Sequence, residues 1–138
     1  IWQITEQGEY DSGWGLLHEA EVGIDRSANA FTVGLLNSRD FGPLTVLTNA
    51  LMAIEWGNDI RDEFETALAV QTRYRLHPSF EPTIEVFFAQ DTFSVGPGIT
   101  GVVKLERARQ IRWNFAALAG LDDTSEYSVK FELEYEFF

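Results

Sequence analysis

The sequence predicts an all-β fold: an antiparallel up-and-down meander that closes into a transmembrane β-barrel. Apolar and polar residues alternate with a period of two along most of the chain, whereas the 3.6-residue period of amphipathic helices is scarce. Turn-forming residues interrupt this alternation about every 12–17 residues. The predicted strands exceed the average of about 5–6 residues in soluble proteins and match the 9–11 that span a membrane.

Nine strands are predicted in chain order. One domain covers residues 1–138, because the amino-acid composition does not change along the chain and the turns are regularly spaced, with no linker between them. Two of the predicted turns are Ser38-Arg39-Asp40, after the third strand, and Gly96-Pro97-Gly98, at the start of the seventh. The predicted ranges are 1–10, 13–24, 29–37, 43–56, 62–76, 80–91, 97–107, 110–120 and 126–138.

Three strands need separate justification. In the second, His18 interrupts an otherwise apolar alternation of Leu16, Ala20 and Val22. The longest charge-free run, residues 41–54, is too short and too rich in turn and β-forming residues for a membrane-spanning helix. Residues 60–72 contain good helix formers, but their alternation favours a strand.

The alternation gives the strands two distinct faces. The uncharged face carries Leu44 to Trp56 on the fourth strand and Val129 to Phe137 on the last, taking every second residue. The opposite face carries most of the charged side chains of the strands. We predict that these residues line the interior of the barrel: Glu65, Arg73, Arg75, Glu85, Lys104, Arg112, Lys130, Glu132 and Glu134.

A soluble lipocalin-like barrel that binds an apolar ligand would turn the uncharged face inward, and a membrane barrel would turn it outward. Three observations favour the membrane. Aromatic residues gather near both ends of the strands: Trp56, Phe64 and Tyr127 at one level, and Tyr74, Trp113, Tyr135 and Phe137 at the other. The chain ends in alternating apolar residues that finish with Phe138, as C-terminal strands of outer-membrane proteins do. The charged face carries both acidic and basic side chains, which can form ion pairs inside a polar barrel.

Four runs resemble one family of exported proteins of Gram-negative bacteria, whose members are uncharacterised or loosely labelled as transporters. They span nearly the whole chain and are residues 2–10, 40–45, 74–82 and 133–137. The resemblance implies an outer-membrane β-barrel of which this chain is a C-terminal portion, and it supplies no catalytic residues.

Strand parity agrees with this interpretation, because single-chain bacterial barrels have an even number of strands. A ninth strand implies further strands upstream. Alternatively, residues 1–10 do not span, and eight strands form the barrel.

Composition excludes several other functions. A net charge of -12 opposes nucleic-acid binding, and the absence of cysteine excludes a disulfide scaffold and a thiolate site. The mean hydropathy of -0.12 averages the two opposed faces. His18 and His77 are the only candidates for a general base near neutral pH. Neither is placed to reach the outer leaflet, so we expect no enzyme. The spacing typical of metal ligands is absent, and we expect no metal site and no cofactor.

The expected function is therefore a barrel of the cell outer membrane that forms a passive pore for small solutes or a structural component of an assembly. Outer-membrane lipid or lipopolysaccharide, small solutes or cations, and assembly proteins are the expected partners. The outer connections contain Asp25, Arg26, Asp59, Arg61, Asp62, Glu63, Asp91, Asp122, Asp123 and Glu126. These charges either simply keep the loops solvated or form an acidic mouth that concentrates cations or binds divalent ions. The turns at the other end contain Arg39, Asp40, His77, Arg107 and Arg109.

Overall fold

A computed structural model describes residues 1–5, 12–23, 29–57, 62–105, 109–121 and 127–137. Nine strands form one sheet in sequence order, and each strand pairs antiparallel with the next. The strands are β1 (Trp2–Gln3), β2 (Ser12–Val22), β3 (Asn29–Phe41), β4 (Leu44–Trp56), β5 (Glu63–Tyr74), β6 (Glu81–Ala89), β7 (Thr92–Leu105), β8 (Arg109–Gly120) and β9 (Tyr127–Phe137). The predicted antiparallel meander is therefore confirmed.

Register is constant within every strand pair, so side chains keep their face from one end of each strand to the other. The face that carries Glu85 is called the inner face, and the face that carries Phe115 is called the outer face. The inner face comprises the odd-numbered residues of β2, β4, β5 and β6 and the even-numbered residues of β3, β7, β8 and β9.

The sheet curls into a half-barrel with the inner face on its concave side. Glu85 on β6 and Lys130 on β9 approach to 3.8 Å although two strands lie between them. In a flat sheet, β6 and β9 would lie three strand spacings apart, or about 14 Å. Strong curvature of the sheet brings their side chains closer together and favours this contact. Within the described strands, β9 and β1 do not pair, and the half-barrel is open between them.

In this sheet polar side chains are buried and large apolar side chains are exposed, the reverse of a soluble sheet with a packed apolar core. Within the described ranges, Ala116 is the only hydrophobic side chain that is fully buried, whereas Thr45, Thr83, Glu85, Ser94 and Asn114 are buried polar residues. Large apolar side chains of the outer face are exposed, among them Phe131 at 65%. Among the described residues, no helix has the length and apolar character needed to cross a membrane.

The predicted turn at Ser38-Arg39-Asp40 is wrong, because β3 continues to Phe41. The reversal occurs at Gly42-Pro43, where Gly42 has a φ of 63°. This left-handed conformation suits glycine, which has no Cβ to clash. Arg75 and Asp40 approach to 3.2 Å beside the turn, and Thr45 Oγ1 donates a hydrogen bond to Asp40 Oδ1 (2.7 Å).

The predicted turn at Gly96-Pro97-Gly98 is also wrong. These residues lie inside β7, which begins at Thr92 rather than at residue 97, and the reversal before it occurs at residues 90–91. The chain passes so close to β8 here that a Cβ on residue 96 would lie 1.9 Å from the carbonyl oxygen of Ala117. Glycine is therefore required by close approach of the backbones, as at other bends of curved sheets.

The first predicted strand is longer than the observed one. Strand β1 contains only Trp2 and Gln3, residues 4–5 form a bend, and residues 6–10 lie outside the described residues. The helical alternative for residues 60–72 is excluded for its described part, which belongs to β5.

Candidate functional site

The best-defined polar cluster of the inner face is centred on Glu85. Its Oε1 accepts hydrogen bonds from Gln71 Nε2 on β5 (2.8 Å) and from Asn114 Nδ2 on β8 (3.4 Å). Its Oε2 lies 3.8 Å from the ammonium of Lys130 on β9. Because Glu85 is only 8% exposed, these partners replace the water that its carboxylate would otherwise bind.

Lys130 connects Glu85 to a second carboxylate. Its Nζ lies 3.4 Å from Glu132 Oε1, and Asn114 Nδ2 donates to Glu132 Oε2 (3.2 Å). One ammonium and one amide therefore hold Glu85 and Glu132 together. We call Gln71, Glu85, Asn114, Lys130 and Glu132 the central network.

Two smaller groups of charges lie on the same face. Arg112 is 3.4 Å from Glu136 and 4.0 Å from Glu134, and Gln110 donates a hydrogen bond to Glu136. Arg73 Nε lies 3.2 Å from Glu81 Oε2. Arg112 is 53% exposed, so each of its two ion pairs contributes little to stability, roughly 0–1 kcal/mol. The Arg73–Glu81 pair is about as shielded from solvent as the Glu85–Lys130 pair.

The glycines of β7 explain how side chains from β6 and β8 can meet. Glu85 pairs in register with Gly96, and Asn114 pairs with Thr100, so the line between them crosses β7 near Gly98. Gly98 has no side chain to obstruct that line, and a Cβ there would lie 2.5 Å from Thr83 Oγ1. The Gly96-Pro97-Gly98 segment thus leaves space for the central network.

Described residues of the inner face line three cavities. The first, about 690 Å³, is lined by acidic residues near the β4–β5 and β6–β7 connections, including Glu63, Glu65 and Asp91. The second, about 200 Å³, is lined by Asn49 and Glu85 among others. The third, also about 200 Å³, contains Arg73, Arg112 and Glu134 in its wall.

Eight of the nine side chains predicted to line the interior belong to the inner face. Glu85, Lys130 and Glu132 join the central network, while Arg73, Arg112 and Glu134 line the third cavity beside it. Glu65 lies at the first cavity, and Lys104 is exposed near the end of β7. Arg75 follows the last residue of β5 and pairs with Asp40 instead.

Sequence reasoning did not select Gln71, Glu81 and Asn114 as site residues. The alternation places Gln71 and Asn114 on the polar face, so face assignment alone could have found them. Their importance depends on which strands approach one another across the curved sheet, and a period-two pattern does not contain that information.

The arrangement offers fixed charges and hydrogen-bonding groups, but no assembled nucleophile is evident in the described residues. His18 belongs to the outer face of β2, and the ring Nδ1 of His77 accepts a hydrogen bond from the backbone N–H of Ser79 (3.2 Å). Among the described residues, no group of three or more His, Asp or Glu side chains could hold a metal ion.

Only three residues of the predicted acidic mouth are among the described residues. Asp62, Glu63 and Asp91 lie at the end of the sheet formed by the β4–β5 and β6–β7 connections. Outside the described residues lie Asp25, Arg26, Asp59, Arg61, Asp122, Asp123 and Glu126, as does Arg107 of the opposite end.

Comparisons with known proteins do not test the resemblance to the exported family, which stays a prediction. No family model, no curated protein and no solved structure matches this chain.

Proposed function

We propose that this chain is part or all of a β-barrel of the Gram-negative outer membrane, with an inner face that admits small solutes. The supporting observation is the outer face. From β2 to β9 it contains no Asp or Glu, and its two arginines, Arg39 and Arg109, lie within three residues of a strand end. Charged side chains in the middle of a lipid-facing strand are costly, and this face avoids them.

The distribution of exposed residues supports the same proposal. Ile84, Phe88, Phe131 and Leu133 are all more than half exposed on the outer face. Monomeric soluble proteins rarely expose apolar patches larger than a few hundred Å². A lipid environment would cover these side chains and leave the polar inner face in contact with water or solutes.

Barrel closure requires a partner for the free edge of β9. Strands β2 and β9 run antiparallel, so they can pair directly to close eight strands, or an odd number of further strands can complete a larger barrel. An eight-stranded barrel is largely filled by its side chains, whereas a larger one holds a wider channel. The number of strands therefore decides between a structural barrel and a pore.

The test is extraction and electrophoretic migration of the protein expressed with an export signal. A membrane barrel should fractionate with outer membranes, require detergent for solubility, and migrate differently in gels before and after boiling. A protein that is monodisperse in detergent-free buffer would overturn the proposal. It would favour the lipocalin-like alternative, which the same meander could form.

A further inference from the structure

The three cavities of the inner face lie in a row. Phe87 lines both the first and the second cavity. Leu51 in the first and Asn49 in the second are successive inner-face residues of β4, as Ala67 and Ala69 are on β5. The cavities are therefore adjacent along the strands, starting from the acidic end.

The second and third cavities meet at three shared residues, Leu47, Gln71 and Lys130. Leu47 projects from β4, whereas Lys130 projects from β9, so residues from strands five positions apart enclose the same small spaces. Each space measures about 200 Å³, against about 690 Å³ for the first cavity. The two smaller cavities therefore meet at these shared residues.

Lys130 is held by opposite charges where the second and third cavities meet. Its ammonium lies between the Glu85 carboxylate of β6 at 3.8 Å and the Glu132 carboxylate of β9 at 3.4 Å. The side chain is still 44% exposed, so its charge faces the space as well as the carboxylates. The ammonium offsets one of the two negative charges beside it, which weakens the attraction of this part of the inner face for cations, and the side chain occupies volume.

We propose that the three cavities form one solute path along the inner face and that Lys130 occupies its smaller part and lowers its preference for cations. This inference rests on the proposed function. The acidic residues at the first cavity concentrate small cations at one end of the path. Lys130 then offsets part of the negative charge that these cations meet on the way to the third cavity.

Single-channel recording in planar bilayers with KCl tests this proposal on the full chain. Lys130→Ala shortens the side chain and removes the charge, so conductance should rise at least twofold and K⁺ should become more permeant relative to Cl⁻. Lys130→Gln removes the charge but retains much of the bulk, so it should shift selectivity with a smaller rise in conductance. If Lys130→Ala does not fold, Lys130→Gln gives the selectivity result.

The matched control is Arg39→Ala, which removes one positive charge from the outer face and lines none of the three cavities. Its recordings should match those of the wild type. Channels of Lys130→Ala and Lys130→Gln that also match the wild type would overturn the inference, as would the absence of conductance in all variants. Heat-dependent migration and outer-membrane fractionation, measured in parallel, show separately whether the barrel is folded and whether it is in the membrane.

Discussion

Glu85 on β6 and Lys130 on β9 form an ion pair at 3.8 Å across two intervening strands. Neighbouring strands are joined by their backbone hydrogen bonds, but this contact joins strands that share none. The pair ties β9 to the middle of the curved sheet, and the hydrogen bond from Asn114 to Glu85 ties β8 to it.

Removing one member of this pair should destabilise the protein more than removing both charges. Lys130→Met leaves the nearly buried Glu85 carboxylate without its counter-charge, and we expect the free energy of unfolding to fall by about 1–2 kcal/mol. Adding Glu85→Gln should recover part of that loss, because the neutral amide needs no counter-ion. Denaturant unfolding of the four proteins of the double-mutant cycle gives the coupling energy. A coupling indistinguishable from zero would contradict the structural role of the pair.

Substitution of Gly96 should show that β7 requires glycine inside the strand. A Cβ at residue 96 would overlap the backbone of Ala117 at 1.9 Å, and backbone cannot move aside as a flexible side chain can. Gly96→Ala should therefore lower the free energy of unfolding by about 1–3 kcal/mol.

Gly15→Ala is the matched control for Gly96→Ala. Residue 15 is also buried within a strand, but the nearest atom to an added Cβ there lies at 3.5 Å, an ordinary contact distance. Equal losses in the two variants, measured by denaturant unfolding, would indicate that the cost comes from glycine replacement in general and not from the close approach to β8.

The alternation of the sequence was sufficient to predict the meander and the face on which charged strand residues lie, because the side-chain period of a strand is fixed by its geometry. It failed at Gly96-Pro97-Gly98, where local composition indicates a turn but the chain continues through a bend in β7. Glycine serves both purposes, and only the proximity of Ala117 distinguishes them.

The sequence predicted which residues belong to the site, but it did not predict which of them contact one another. Glu85 and Lys130 were both selected from their shared face, but no sequence pattern indicated that they meet. Contacts across a curved sheet depend on its curvature and on the cumulative register of several strand pairs, which a single sequence does not reveal. Asn114 was missed as a site residue for the same reason.

A charge placed on the outer face should distinguish a lipid-facing surface from a solvated one. Phe115 is 43% exposed near the middle of β8. In a bilayer, Phe115→Arg should destabilise the barrel by about 2–4 kcal/mol, since arginine is most costly at the membrane midplane. On a solvated surface the same change should alter stability by about 0.5 kcal/mol or less.

Phe41→Arg provides the depth control for this experiment. Phe41 is 51% exposed on the same face, but it ends β3 beside the Gly42-Pro43 turn. An arginine there should cost about 0–1 kcal/mol because it lies at the level of the interface. Unfolding titrations in lipid vesicles measure both values, and equal costs at the two positions would argue against a membrane-spanning outer face.

Charge reversal at Arg73 should alter ion selectivity more than reversal at Arg75. Arg73 lines the third cavity and lies 3.2 Å from Glu81, whereas Arg75 lies beyond the end of β5 and pairs with Asp40 beside a turn. Arg73→Glu places another negative charge in the cavity wall, so the permeability ratio of K⁺ to Cl⁻ should increase several-fold. Arg75→Glu should produce a smaller change, and Arg73→Glu plus Arg75→Glu should resemble Arg73→Glu alone. Reversal potentials in asymmetric KCl provide the measurement. A larger effect from Arg75→Glu would place the selective region at the turns instead of at the third cavity.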